Sequence, residues 1–309
     1  MDPAGPGDEL VSDATGEHLV VGATGNLGHA VATELVARGL PVRAGDLDPA
    51  RVADRLPACR ATRLDLTDPA TFVPALTGVH RMFLLRPPAI ARVGPTINRF
   101  LDAAVETGVE HVVFSSVAGA ERNRIVPHHR IERHLMAGRL DWTILRPGFF
   151  AQNLAGPYGD DLRDGVLTVP AGDARVAFLD VRDLGEVAAG ILADPIGHHG
   201  RAYTLTGPEA VTFTDVAALL SRELGRPITY QPATTLGYLR HLAGQRLPLP
   251  QRLVQTVLHL GLRRGDAAEV DATLRQLLGR PPRDLATYVH DHRHLWAPVT
   301  DGPQRGELA

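Results

Sequence analysis

The segment Val20-Val-Gly22-Ala-Thr-Gly25-Asn-Leu-Gly28 constrains this chain more than any other, because three glycines stand at fixed spacing between an apolar run and a helical pattern. Gly22 permits a tight turn, Gly25 lets the backbone approach a pyrophosphate, and Gly28 lets helix and strand pack closely. The free amides at the helix start and the helix dipole then form a phosphate cradle over Gly22, Thr24, Gly25, Asn26, Leu27 and Gly28. In a strand–turn–helix context this pattern points to a nicotinamide dinucleotide, NAD(P)H.

The surrounding sequence supplies that context. His18–Gly22, Pro41–Asp46, Ala61–Asp65, Arg81–Leu85, His111–Ser116 and Asp141–Arg146 read as strands. Leu27–Arg38, Pro69–Leu76, Val93–Thr107 and His128–Ala137 read as the helices between them. Such alternation predicts an α/β fold, a doubly wound parallel (Rossmann-like) sheet covered on both faces. Residues 18–150 form the dinucleotide-binding domain, and 175–195 return to it. Residues 151–174 and 196–296 form a smaller, mostly helical C-terminal lobe, the substrate lobe. Residues 1–17 are a disordered lead-in and 297–309 a tail.

Composition narrows the chemistry. At 309 residues, 44% hydrophobic and 22% charged, the chain can bury a sizeable core. A net charge of −3 encodes no general attraction to nucleic acid or anionic lipid. The single cysteine, Cys59, excludes an internal disulfide and a multi-cysteine metal centre. No lysine occurs, and all 32 basic residues are arginine. That removes Schiff-base catalysis and a Walker-type phosphate lysine. The first residues carry no basic-then-apolar leader, and no apolar stretch approaches the roughly 20 residues of a membrane span. A cytoplasmic setting without membrane attachment is the expectation.

Asp46 lies eighteen residues beyond Gly28, at the end of the second strand, where a carboxylate accepts hydrogen bonds from the ribose hydroxyls. It would repel a 2′-phosphate, which favours NAD over NADP, although Arg43 and Arg51 are near enough in sequence to reverse this. The lesser alternative is that Asp46 merely caps a turn with Asp48 and Pro49. Asp65 and Leu66, after the third strand, are placed to border the adenine, or Asp65 simply starts the next helix.

Later strings are more specific: Val112-Val-Phe-Ser-Ser116, His129-Arg-Ile-Glu132-Arg-His-Leu135, Asp141-Trp-Thr-Ile-Leu-Arg146-Pro-Gly-Phe-Phe150-Ala-Gln-Asn153, and Leu278-Gly-Arg-Pro-Pro282 with a block reaching Trp296. Together they resemble the NmrA-like family of atypical short-chain dehydrogenases/reductases over residues 18–296. The resemblance implies NAD(P)-binding redox sensors, quinone reductases or biosynthetic reductases. It also implies that Pro147, Gly148 and Phe149 lie beside the nicotinamide, with Phe150 and Asn153 beginning the substrate pocket. The departure from the wider superfamily is equally informative. Counted back from Glu132, the usual Tyr-x-x-x-Lys positions hold Arg124 and His128, so the proton-delivering dyad is missing.

Other groups must then assist. By the resemblance His128 and His129 face the nicotinamide, where an imidazole of ordinary pKa near 6.5 can donate a proton, or they are solvated residues opening a helix. Ser116 at a strand end can hydrogen-bond a substrate oxygen. Arg86, after the fourth strand, could meet an anionic group or only stiffen its loop with Pro87 and Pro88. Tyr158 could reach the cleft or pack. His290, His292 and His294 alternate, but no carboxylates accompany them and no metal is expected. These residues suit an oxidoreductase that passes hydride to a quinone, enone or ketone, a small apolar or aromatic partner, without the dyad. A non-catalytic redox sensor and a non-redox tailoring enzyme with a structural cofactor are the alternatives. A homodimer or a regulatory protein partner is left open.

Overall fold

Side-chain caps mark many of the element starts. The structure is a computed structural model describing residues 16–245 and 247–297. Apart from 16, 17 and 297, the expected lead-in and tail therefore lie outside the described residues. In chain order the elements are β1 (Glu17–Val21), α1 (Asn26–Ala37), β2 (Val42–Asp46), α2 (Pro49–Arg55), β3 (Arg60–Arg63), α3 (Phe72–Leu76), β4 (Val79–Leu85), α4 (Arg99–Glu106), β5 (His111–Ser115), α5 (Pro127–Ala137) and β6 (Asp141–Pro147). There follow β7 (Phe149–Phe150), α6 (Gly159–Arg163), β8 (Val166–Val169), β9 (Arg175–Leu179), α7 (Val181–Ala193), β10 (Arg201–Leu205), β11 (Ala210–Thr212) and α8 (Phe213–Leu224). The chain continues through β12 (Thr229–Pro232), α9 (Thr235–Gly244), α10 (Leu249–Arg263), α11 (Thr273–Leu278) and α12 (Leu285–His292). Asp48, Asp180, Thr234 and Asp284 each accept a backbone N–H at the start of their helix. Thr212 and Asp215 cap α8 reciprocally, and Gly225 ends it in the left-handed conformation.

Seven parallel strands form the main sheet in the order β10-β6-β5-β4-β1-β2-β3. Successive side chains of each strand serve opposite cores. Leu19, Met82, Leu84, Val112 and Phe114 pack with Phe72, Phe100 and Leu135 on one face. Val20, Phe83, Val113 and Leu145 pack with Val31, Leu35, Leu184 and Ala188 on the other. Burial on both sides explains why the strands read as continuous apolar runs. The strand order reverses between β1 and β4, so the turn after β1 opens at the switch point, where α/β sheets bind ligands.

Two segments sit differently from the sequence reading. Arg201–Leu205, expected in the later lobe, is the edge strand β10 of the main sheet beside β6. Leu274, Leu277 and Leu278 of α11 pack with the core beneath α7. The lobe also contains two small sheets, β11-β9-β7 and β12-β8, around a core that includes Phe178, Phe213, Tyr288 and Trp296.

The amino end of the sheet predicts acid sensitivity. His111 is buried, its Nε2 lying 3.0 Å from Thr143 Oγ1, while that hydroxyl donates to the His198 carbonyl. Burial, and secondarily the neighbouring His199, lowers its pKa to about 4; burial lowers His18 as well. A histidine depressed in the folded state contributes stability that is complete above the unfolded value of about 6.5 and is lost as pH falls towards the folded one. His111 alone should therefore cost about 2 kcal/mol between pH 7.5 and pH 5. Urea melts at the two pH values check this, and His111→Gln should lose less stability than the parent across that interval.

Candidate active site

The glycine turn is built by close approach. Gly22 has φ +68° and donates its amide to the Gly45 carbonyl at 2.9 Å. A Cβ on Gly28 would stand 2.2 Å from the Gly22 oxygen, so only glycine fits there. Helix α1 begins with no side-chain cap, unlike α2, α7 and α8, and carries no acidic residue in its first turn. Gly25 and Asn26 are exposed and Leu27 half-buried. Uncapped amides without a competing anion fit a pyrophosphate.

At the end of β2, Asp46 is held from the turn itself. Thr24 Oγ1 donates to Asp46 Oδ2 at 2.6 Å and the Thr24 amide to the same oxygen at 3.3 Å. The other oxygen meets only the Asp48 amide, at 3.4 Å, which leaves it able to accept from a ribose hydroxyl. Arg43 cannot oppose this carboxylate. It is buried on the far side, bound to Glu17 and to the Ala75 carbonyl at 2.8 Å. Arg51 is exposed on α2, and the cation at the turn is instead Arg55, which donates to the Thr24 carbonyl. Asp65 caps its own turn: it accepts from the Thr67 amide at 2.8 Å and hydroxyl at 2.6 Å, and these bonds lower its pKa. Leu66 is buried in the core. Asp65 and Leu66 thus have structural tasks of their own, while Asp65 Oδ2 carries no partner among the described residues and stays available to an adenine.

Beside the turn, the ends of β4, β5 and β6 bring three more groups together. Leu85 lies 3.2 Å from where a Gly22 Cβ would be, and Arg86 follows it. Arg86 Nε donates to His128 Nε2 at 3.3 Å, while its Nη1 donates to the Pro87, Pro88 and Ile90 carbonyls. Burial first and the Arg86 charge second lower the His128 pKa to about 4. His128 is therefore neutral at pH 7, with its proton on Nδ1. The expected imidazolium acid is thereby corrected to a neutral hydrogen-bond donor. His129 points elsewhere: its Nδ1 lies 2.8 Å from the Ala120 carbonyl, and the ring borders a separate depression of about 530 Å³ with Arg124 and Met136.

Ser116 is also committed. Its Oγ donates to Glu132 Oε1 at 2.5 Å, and Arg146 holds the same carboxylate through Nε at 3.1 Å and Nη2 at 2.7 Å. Glu132 is 2% exposed. Sequence reasoning used Glu132 only as a counting mark, although its spacing of four from His128 puts both on one face of α5. Bound this way, Ser116 can accept from a ligand but cannot donate to one.

After β6 the Pro147 carbonyl accepts from the Ala118 amide at 2.9 Å, and the Gly148 amide donates to Leu205 at 2.8 Å. Phe149 and Phe150 pair with Phe178 and Leu179, half-buried, and Asn153 is half-buried just beyond. Gln152, overlooked in the sequence, donates to Asp180 Oδ1 at 3.0 Å and accepts from the Val181 amide at 3.1 Å, tying this segment to the start of α7. Tyr158 does not reach the cleft. It is 2% exposed in the lobe core and its hydroxyl bonds His259 Nε2, because an apolar pocket made with Phe213 and Tyr238 receives the ring. His290 and His292 lie on α12 and not on a strand; one meets Glu223 and the other stacks on Tyr288.

Comparison with known proteins agrees with this fold. Residues 15–285 match the NmrA-like family. An NAD(P)H azoreductase of Xenophilus azovorans is 31% identical over 280 residues, covering 89% of this chain and 97% of that protein. Quinone oxidoreductase 2 of Escherichia coli is 29% identical over 280 residues, covering 87% and 96%. The crystal structure of the NADPH-dependent quinone oxidoreductase of Escherichia coli complexed with NADPH superposes with a TM-score of 0.80 at 27% identity, over 91% of this chain and 99% of that one. With glycine turn, seven-stranded sheet and lobe all accounted for, the chain belongs to the NmrA-like family.

Proposed function

We propose that this protein is an NAD(P)H-dependent oxidoreductase that reduces a small apolar or aromatic acceptor, with quinones as the leading class. The observation that carries the reading is the convergence, at the carboxyl ends of the central strands, of an uncapped glycine turn with a neutral His128 fixed by Arg86. Gly22, Thr24, Gly25, Asn26, Leu27 and Gly28 would hold the pyrophosphate and Asp46 the adenosine ribose, while Pro147, Gly148 and Phe149 border the nicotinamide. When bound, the cofactor supplies a hydride. Phe149, Phe150 and Asn153 form the wall that receives a flat acceptor and excludes water from it. His128 can donate a hydrogen bond from Nδ1 to an oxygen that gains negative charge, without giving up its proton. A quinone suits this arrangement, since the charge of its reduced form is delocalised and solvent can protonate it.

Mixing the protein with NADH and a panel of benzo- and naphthoquinones tests the reading through the loss of nicotinamide absorbance. Acceptor-dependent oxidation is expected. His128→Ala should lower kcat roughly 10- to 100-fold, the worth of a hydrogen bond to a charged group, with unchanged NADH affinity. Tight binding of one redox form without turnover on any acceptor would reject the enzyme reading in favour of a sensor.

NADH is the proposed cofactor over NADPH, because Asp46 stands at the ribose and Arg43 is turned away. Arg55, at the Thr24 carbonyl, moderates the preference. Calorimetry should show Asp46→Ser shifting the NADH/NADPH affinity ratio about tenfold or more towards NADPH, as expected when a close charge repulsion is removed. An unchanged ratio would mean that Asp46 does not face the ribose.

A further inference from the structure

The wall proposed to receive the acceptor ends in a single 3-10 turn, Ala151–Leu154, that opens without a side-chain cap. At roughly three residues per turn its side chains leave in three directions, and positions three apart eclipse one another. Ala151 and Leu154 share one direction and are buried in the lobe core, where the Trp296 indole also donates to the Leu154 carbonyl at 2.9 Å. Gln152 takes the second direction, towards the start of α7. Its amide nitrogen donates to Asp180 Oδ1 at 3.0 Å, and its oxygen accepts from the Val181 amide at 3.1 Å. Asp180 is 1% exposed and is itself held by the Arg182 amide and guanidinium at 2.9 and 2.6 Å, so Gln152 grips a fixed partner. The third direction is left to Asn153. That residue is half-buried, and its carboxamide has no hydrogen-bond partner among the described residues.

A few polar groups placed on an otherwise apolar wall are what orients a small ligand. Which way the Asn153 carboxamide faces depends on how the turn is rotated about its own axis. Core packing at Ala151 and Leu154 restrains that rotation from one side. The two bonds of Gln152, to a backbone amide and to a buried carboxylate, fix it from another. We infer that Gln152 is a positioning residue, which sets the rotation of this turn and so aims the Asn153 carboxamide at an oxygen of the bound acceptor. The role rests on the oxidoreductase reading given above and deepens it, since Gln152 acts on the acceptor through Asn153 without touching it.

A double-mutant cycle on the full chain tests this, read as quinone KM and kcat beside the NADH Kd, with thermal melts to confirm folding. Gln152→Met keeps the length of the side chain and removes both bonds. It should raise the quinone KM about 3- to 10-fold, the worth of one ordinary hydrogen bond, with the NADH Kd within about twofold of the parent. Asn153→Ala should do the same. In the double variant the effects should not multiply: KM should stay within about twofold of Asn153→Ala alone, because a turn without its carboxamide has nothing to aim. Gln152→Glu, which keeps the shape but sets a carboxylate against Asp180, serves if the methionine variant does not fold, and the same cycle is expected of it. A parent-like KM at position 152, or two effects that multiply, overturns the inference. So does an NADH Kd that rises as far as the KM. Gln152 lines a cavity of about 600 Å³ together with Asn26 of the glycine turn, and that result would make it a cofactor-holding residue. A parent inert towards every quinone overturns the oxidoreductase reading and this role with it, whereas the other outcomes leave that reading standing.

Discussion

Gly28→Ala is expected to abolish dinucleotide binding. The new methyl would stand 2.2 Å from the Gly22 oxygen and 2.9 Å from Ala23 Cα, both backbone atoms that cannot rotate away. Helix α1 must therefore retreat from β1 by about 1 Å, since non-bonded contacts of this kind settle beyond 3 Å. The retreat misplaces the amides at Asn26 and Leu27 and opens the packing of Val31 and Leu35 against the sheet. Calorimetry should show the NADH Kd rising more than 100-fold, with the melting temperature several degrees lower. Parent-like affinity in a folded variant would remove the dinucleotide from this turn.

The second large effect is expected at Glu132. Its carboxylate is buried between the Ser116 hydroxyl and the Arg146 guanidinium, which is itself only 12% exposed. Glu132→Ala would leave that cation without its close partner, since Glu121 approaches no nearer than 3.4 Å. Removing one partner of a buried ion pair costs about 3–5 kcal/mol. In a chain of this size that corresponds to a fall in Tm of about 5–8 °C. Because Ser116 and Arg146 close the ends of β5 and β6, quinone turnover should fall with it. Glu132→Gln keeps the shape and an oxygen for Ser116, so it should recover part of both. Calorimetric melts of the two variants, run beside the quinone assay, separate the outcomes. Equal melting temperatures for Glu132→Ala and the parent would mean that the pair is not held in solution as described.

Both substitutions bear on how far residues speak for themselves. The glycine turn and the strands β1 to β6 are legible because sterics and two-sided burial act on neighbours in sequence. β10 is not, since only Leu205 of its five residues is buried and its pairing depends on β6, more than fifty residues earlier. Glu132 reads only as a position to count from until Ser116 and Arg146 arrive from other strands. His128 reads as an ordinary imidazole until Arg86, 42 positions away, sits against it. Tyr158 follows the same rule in reverse: a loop aromatic looks available for a ligand, and only the assembled lobe shows that His259 and Phe213 have claimed it. What escapes a one-dimensional reading is the set of polar and aromatic groups whose environment is supplied from afar.

The return of α7, β10 and α11 to the body has an evolutionary corollary. Gly185 of α7 packs so tightly on Ala30 of α1 that an added methyl would come within 2.8 Å of it. The lobe is thus not a cassette joined at one seam. Exchanging it between relatives would need several simultaneous crossovers, each preserving a close fit. New acceptors should therefore be gained by point changes along the Phe149–Asn153 wall far more readily than by recombination.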